Sequence, residues 1–395
     1  MKISYRTTRT IMWLALVVGT PLRSPAEPPV MLDDELIFDG WISLFDGQTL
    51  YGWKAGGEAN WDVANGTITA DSGEVSLLHT TSQFSDFALH LEFRADAETN
   101  SGVFVRTSPR PKNPQADCYE INIAPPDNPF PTASLVGRQK ATAANVDNEW
   151  HTLEITAVGP SIRIELDGKM VTEYLDPHPL GRGYIGLQHN SGRVAFRKIR
   201  LKPLSLTPIF NGTDLDGWRE HAESNSQFSV TEAGELNVKN GKGQLETIDS
   251  YGDFVLQLEC ITLGDGLNSG VFFRCIPGDV MMGYESQIDH RIKDSDPTQP
   301  VDCGTGGIFR RQDARRVVSS DHQWFAKTLV AVGPTVTVWV NGFQVSDWTD
   351  RREPHDNPRK GRRLKPGTII LQGHDPTTDF SFRDLSAAEL AERNY

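Results

Sequence analysis

Apolar and polar residues alternate along this chain in short runs, the period of an extended strand with one buried face. In Phe254–Cys260, for example, Phe254, Leu256, Leu258 and Cys260 fall on one side and Gln257 and Glu259 on the other. The same pattern marks residues 87–93, 103–106, 152–156, 162–166 and 184–188 in the first half, and 271–274, 327–330, 336–340 and 368–372 in the second. Asp167-Gly168 and Asn341-Gly342 stand between runs as two-residue hairpin turns. Only the tail, Ser386–Arg393, offers a helical pattern. About a dozen short strands in each half predict an all-β fold of two-sheet, jelly-roll sandwiches.

The halves repeat one another. Leu44-Phe45-Asp46-Gly47 through Gly52-Trp53 returns as Ile209-Phe210-Asn211-Gly212 through Gly217-Trp218. Ser85-Asp86-Phe87 returns as Gly252-Asp253-Phe254, Asn100-Ser101-Gly102-Val103-Phe104-Val105-Arg106 as Asn268-Ser269-Gly270-Val271-Phe272-Phe273-Arg274, and Ala157-Val158-Gly159-Pro160 as Ala331-Val332-Gly333-Pro334. The offset drifts from 165 to 174 residues, so the second copy carries insertions. A period this long means two tandem domains rather than a solenoid. The boundary falls in the linker flanked by Pro203 and Pro208, giving domains 27–205 and 206–395. The recurring Trp53, Trp61, Trp150, Trp218 and Trp324 read first as core residues and second as sugar-stacking ones.

Residues 1–26 read as a secretory signal: Lys2, Arg6 and Arg9, then the apolar Ile11–Val18, then Ser24-Pro25-Ala26. The run is too short to span a bilayer, so the expectation is a periplasmic or secreted protein. The chain carries a net charge of −13; four basic residues and no acid precede Glu27, so removal of that segment leaves −17. Such a chain has little reason to bind nucleic acid or an anionic membrane surface. Its 38% hydrophobic and 9% aromatic content is enough to supply a core. Four cysteines do not make a disulfide scaffold; Cys260 reads as a buried thiol, and Cys275 and Cys303 are candidates to pair, leaving Cys118 over.

Candidate chemistry concentrates in residues 268–290. On the strand Tyr284-Glu285-Ser286-Gln287-Ile288-Asp289, alternation puts Glu285, Gln287 and Asp289 on one face, opposite Tyr284, Ser286 and Ile288. Downstream, Gln372 and His374 are two residues apart, followed by Asp375.

The opening F-D/N-G-x-x-L-x-G-W, the D-F-x-L-x-x-E strand, N-S-G-V-F-x-R, Y-E-x-Q-I, Thr305-Gly306-Gly307-Ile308-Phe309 and Leu371-Gln372-Gly373-His374 span nearly all of each copy in order. On these motifs each half resembles the 3-keto-disaccharide hydrolase family, also described as 3-keto-glucoside 1,2-lyase and 3-keto-2-hydroxy-glucal hydratase domains. The resemblance implies concanavalin/laminin-G-like jelly rolls acting on sugars oxidised at C3. A base takes the acidified proton at C2, the enolate expels the C1 aglycone, and water adds to the resulting 2-hydroxy-3-keto-glucal, a net hydrolysis. The partner it implies is a sugar 3-dehydrogenase that supplies the ketone.

The copies match the pattern unequally. The first has Glu120 and Asn122 but Ala124 where the second has Asp289, and Asn190 rather than His189 occupies the place of His374. The second copy is therefore expected to be active and the first degenerate. Glu285, His374 and Arg274 are the expected catalytic residues: Glu285 or His374 as base, Arg274 as enolate stabiliser. Asn268, Gln287, Asp289, Gln372 and Asp375 are expected to bind substrate, with Asn100, Arg106, Glu120, Asn122 and Gln188 as first-copy counterparts. No cofactor is demanded; a divalent metal held by Glu285, Asp289, His374 and Asp375 is an open alternative. So are a non-catalytic, lectin-like pair of modules and an assembly role.

Overall fold

The computed structural model describes residues 29–142 and 148–392, together with Met1. The expected leader therefore lies outside the described residues. Each half is a sandwich of one large and one small antiparallel sheet, in which sequence-distant strands become neighbours. In the second half the strands Gln227–Val230, Leu236–Lys239, Asp379–Glu389, Phe254–Thr262, Phe325–Val332, Thr335–Val340 and Phe343–Thr349 form the large sheet in that order. The small sheet runs Trp218–Glu220, Gly243–Thr247, Thr368–Gly373, Ser269–Cys275, Tyr284–Ile288. The first half repeats this order, its small sheet running Trp53–Ala55, Ser76–Thr80, Tyr184–Ser191, Asn100–Thr107, Tyr119–Ile123. These are two tandem jelly-roll sandwiches.

Alternation does the packing. Phe254, Leu256, Leu258 and Cys260 enter the core between the sheets of the second sandwich. The other face of the same sheet meets the first domain: Val255, Val330, Val332 and Trp339 belong to the first domain's apolar cluster. The Trp339 indole N–H donates to the Ser43 carbonyl at 2.9 Å, and Arg315 pairs with Asp46 at 2.7 Å. Trp53 and Trp218 are buried, each donating its indole N–H to the start of its own motif, at Leu44 and Ile209.

Three repeated motifs meet at one buried arginine in each domain. Arg274, 1% exposed and with φ of 48°, donates to the carbonyls of Gly252 (3.0 Å) and Gly333 (2.6 Å) and to Asp253 (2.8 Å). Asp253 in turn accepts the Gly333 backbone N–H at 2.9 Å. Arg106, with φ of 46°, repeats this with Ser85, Gly159, Leu180 and Asp86. The left-handed residue is a bulge, and register with the neighbouring strand shifts there. The next strand must come close: a Cβ on Gly367 would lie 2.5 Å from the Arg274 carbonyl carbon, and one on Gly183 2.3 Å from that of Arg106.

Three expectations change. The tail is not helical: Asp379–Glu389 is a strand pairing with Phe254–Thr262. Its phase is reset near Asp384, which has φ of 51°, so Phe380, Phe382, Leu385 and Ala387 all reach the core although their spacing breaks simple alternation. A short helix, Asp34–Phe38, precedes the first strand instead. Cys275 and Cys303 are both free thiols. Cys275 ends the strand Ser269–Cys275, whereas Cys303 lies in a turn beside the strand's opposite end, where Thr305 N–H donates to the Asp289 carbonyl. Six residues of strand, at roughly 3.3 Å each, separate those ends, far beyond disulfide reach.

Replacing Arg274 by Met leaves Asp253 and two carbonyls without their buried donor. Urea unfolding should show a loss of about 3–5 kcal/mol for this variant, and a comparable loss for Arg106→Met. A change no larger than that of an exposed-arginine substitution contradicts the lock.

Candidate active site

Tyr284–Ile288 is the edge strand of the second small sheet and pairs with Ser269–Cys275 through Phe272–Glu285 and Gly270–Gln287. Tyr284, Ser286 and Ile288 point into the sandwich; Glu285 and Gln287 lie on the other face. The Glu285 carboxyl folds over Gly270, where a Cβ would come within 2.6 Å of it, which is why the N-S-G motif needs a residue without a side chain. The Thr305–Phe309 turn extends the edge: Phe309 N–H donates to the Glu285 carbonyl at 3.0 Å and Gln287 N–H to the Gly307 carbonyl at 2.9 Å.

Glu285 opens onto a cavity of about 210 Å³ walled by Phe272, Tyr284, Phe309 and Pro358 and rimmed by Arg310, Arg311 and Arg359. Burial pushes the Glu285 carboxyl up to about 7, with Arg359 pulling it down and Asp302 reinforcing the rise. The three guanidinium groups are held by backbone oxygens and a ring. Arg359 donates to the Met281 carbonyl (2.7 Å), Arg311 to the carbonyls of Arg310 (3.2 Å) and Arg359 (3.1 Å), and Arg310 lies 5.0 Å from the Phe309 ring centre. Their charge stays available to an anion forming beside Glu285.

The other expected residues are placed differently. Gln287, 1% exposed, donates to the backbone and side-chain oxygens of Asp302, both at 3.0 Å, and Asn268 donates to the same carboxylate at 2.8 Å. Asp302, missed in the sequence, is thus the hub of these amides; its only signal is the turn Asp302-Cys303-Gly304. Asp289 is fully buried and gripped by Arg291 through Nε (2.9 Å) and Nη2 (2.6 Å). Gln372 reaches only the Met281 sulfur, at 3.4 Å. The segment 276–283 covers it, fastened where Gly278 N–H meets Glu246 (3.0 Å) and Met281 N–H meets Gln244 (2.7 Å).

His374 follows the strand Thr368–Gly373, with its Nδ1 2.9 Å from Asp375, and neither residue lines the Glu285 cavity. Hydrogen bonds from Thr377 and His374 hold the Asp375 carboxyl down at about 2. Arg274 is committed to the lock and faces away. Of the three expected catalytic residues, then, only Glu285 lines the cavity, and Arg359 and Arg310 rather than Arg274 stand beside it. The four proposed metal donors do not converge either: Asp289 is engaged by Arg291, and among the described residues no group of three or more His, Cys, Asp or Glu is placed to hold an ion.

In the first copy, Asn100 begins its strand, Arg106 forms the equivalent lock, and Asn122 turns its amide to the Phe130 carbonyl. Glu120 and Gln188 share a second cavity. His189 is buried, whereas Asn190 is only partly so.

A buried lysine was also missed. Lys327 stands in the core beneath Glu285's strand, its Nζ reaching Ser286 O (3.2 Å), Ser286 Oγ (3.2 Å) and Gln287 O (3.0 Å). Its signal is a charge within the apolar run Phe325–Val332, where the first copy has Leu153.

The profile of the 3-keto-alpha-glucoside-1,2-lyase-like domain matches residues 40–202 and again 205–387. The chain belongs to this family. A curated relative, the 3-keto-disaccharide hydrolase of Bacteroides thetaiotaomicron, is 24% identical over 232 residues, covering 42% of this chain and 79% of that protein. Among solved structures, a candidate glycosyl hydrolase from Parabacteroides distasonis aligns at 18% identity and TM-score 0.40, over 45% of this chain and 100% of its own. The carbohydrate-binding module CBM66 from Bacillus subtilis aligns at 16% identity and TM-score 0.32, over 38% of this chain and 95% of its own. Of the motifs that carry the 3-keto-glucoside lyase-like family through both copies, most serve the arginine lock and the turn beside Glu285.

Burial lowers the Lys327 ammonium to about 7. The unfolded chain therefore binds more protons than the folded one between about pH 7 and the ordinary lysine value near 10. Stability from this residue should rise as pH increases through that window, and Lys327→Met should remove that rise. Urea midpoints of both proteins at pH 7 and 9.5 make the test; parallel pH dependence contradicts the assignment.

Proposed function

We propose that the second domain cleaves 3-keto-glucosides by elimination and rehydration at the Glu285 cavity. The observation that carries this reading is a buried carboxyl poised near neutrality beside guanidinium groups that form no salt bridge with a carboxylate among the described residues. Ionised Glu285 takes the proton from C2. The electron pair moves into the C2–C3 bond and places negative charge on the C3 oxygen, where Arg359 and Arg310 stabilise it. Re-formation of the C3 ketone expels the C1 aglycone, whose oxygen takes the proton from Glu285, and leaves a C1–C2 double bond. Water then adds its hydroxyl at C1 while its proton, taken up by the ionised Glu285, is delivered to C2, yielding 3-keto-glucose. A charge-matched donor set costs little reorganisation because the Met281 carbonyl already holds Arg359 and the Phe309 ring lies against Arg310.

The substrate must come from an oxidation at C3, so a sugar 3-dehydrogenase acting before this protein is part of the proposal. Export directed by residues 1–26 would place cleavage outside the cytoplasm.

Glu285→Gln keeps the shape and removes the base. Turnover of a 3-keto-glucoside should fall about 10²- to 10⁴-fold, as expected when a general base is lost. In the unaltered protein the rate should rise with pH through about 7 as Glu285 ionises. Unchanged turnover in the folded variant, or a rate flat from pH 5 to 8, defeats the assignment.

A further inference from the structure

The first domain has a cavity of about 310 Å³ on the same face of its small sheet, larger than the one at Glu285. Its floor holds Glu120 and Gln188, and its walls include Leu77, Phe104 and Pro109. Glu120 is 9% exposed, and burial alone pushes its carboxyl up to about 7, with no hydrogen bond or charge from the described residues opposing the rise. The Gln188 side-chain oxygen is buried and has no hydrogen-bond partner. A buried polar atom without a partner costs free energy. Here that cost falls on the Gln188 oxygen, beside a carboxyl that burial has already raised.

Gly102 keeps the floor open between them. It pairs with Gln188 on one side and Asn122 on the other, and Glu120 is two residues along from Asn122. A Cβ on Gly102 would lie 3.5 Å from the Glu120 side chain and 3.3 Å from the Phe104 ring.

The covering segments explain why this cavity is open and its counterpart in the second domain is filled. There, segment 276–283 is fastened to Gln244 and Glu246. The first domain has Leu77 and His79 at those positions, and neither gives the covering segment an equivalent fastening. Its segment is tied within itself and to the turn at Arg138 instead: Lys112 and Asn113 N–H groups donate to the Asp117 carboxylate at 2.7 and 2.9 Å, and Arg138 donates to the carbonyls of Pro114 and Gln115, each at 2.7 Å.

We propose that the Glu120–Gln188 cavity is a second carbohydrate site that takes an uncharged pyranoside through neighbouring hydroxyl groups. Two acceptors call for a ligand that brings donors, and a sugar ring supplies several on one edge. Leu77 and Phe104 meet the ring's C–H face. The carboxyl on the floor disfavours an anionic ligand, and Arg110 and Lys112 at the mouth disfavour a cationic one. The first domain would thereby hold glycan chains near the Glu285 cavity, raising the local substrate concentration.

Calorimetric titration of the full chain with methyl β-D-glucopyranoside tests this, with the corresponding methyl glucuronide and glucosaminide as comparison ligands. Saturable binding of the neutral glucoside is expected in the unaltered protein and in Glu285→Gln. Affinity should weaken about tenfold or more in Glu120→Leu and in Gln188→Leu, each removing one acceptor from a folded domain whose unfolding midpoint is checked in parallel. Absence of binding overturns the proposal. So does binding that survives both first-domain substitutions or disappears with Glu285→Gln, and so does preference for either charged sugar. None of these outcomes bears on 3-keto-glucoside turnover, which is measured separately.

Discussion

A single buried arginine in left-handed conformation joins the pieces on which each sandwich depends. Arg274 and Arg106 sit where their strand bulges, and each binds the loop before one strand, the A-V-G-P turn between two others, and an aspartate that also holds that turn. A guanidinium can do this because its donors are fixed in a planar fork and it stays charged when buried. The lock also meets the junction between the domains: Asp253 pairs with Arg182 of the first domain at 2.8 Å, and Asp86 accepts from Ser205 of the linker at 2.7 Å. Much of what repeats between the two halves therefore repeats for architectural reasons.

On that shared frame the two copies use the same carboxyl in different surroundings. Glu120 and Glu285 occupy equivalent positions, both lifted to about 7 by burial. At Glu285 the covering segment is fastened down, the amide Gln372 is enclosed, and arginines line the remaining opening. At Glu120 the covering segment is tied to the turn at Arg138 instead, and the amide Gln188 shares the cavity. The first arrangement suits developing negative charge and therefore chemistry; the second suits neutral hydroxyls and therefore retention. The copies differ in how the covering loop is fastened: Gln244 and Glu246 hold it in the second, where the first has Leu77 and His79.

The strands were legible because alternation in this chain is strong and both copies show it. The face carrying Glu285 and Gln287, the buried Cys260 and the buried Trp53 and Trp218 followed directly, whereas Trp61, Trp150 and Trp324 are only partly buried, the last two under arginine side chains. What stayed hidden is tertiary. Periodicity cannot register a bulge, so Arg274 was placed on a functional face and the tail of the chain read as helix. Nor does spacing show how a loop docks: Gln372 lies on the expected strand and His374 just past its end, yet the Met281 segment covers the first and the second does not line the Glu285 cavity. The buried charge of Lys327 in an apolar run was visible in the residues, and its meaning was not, because its partners are carbonyls on a strand some forty positions earlier.

The central claim is that bond cleavage begins with removal of the C2 proton. Turnover of a 3-keto-glucoside by the full chain in deuterium oxide, followed by nuclear magnetic resonance at early times, reads that step directly. The account predicts that the released 3-keto-glucose carries deuterium at C2 from the first turnovers, faster than the ketone exchanges unaided. Release of product that still holds hydrogen at C2 would mean direct displacement at C1 and would contradict it.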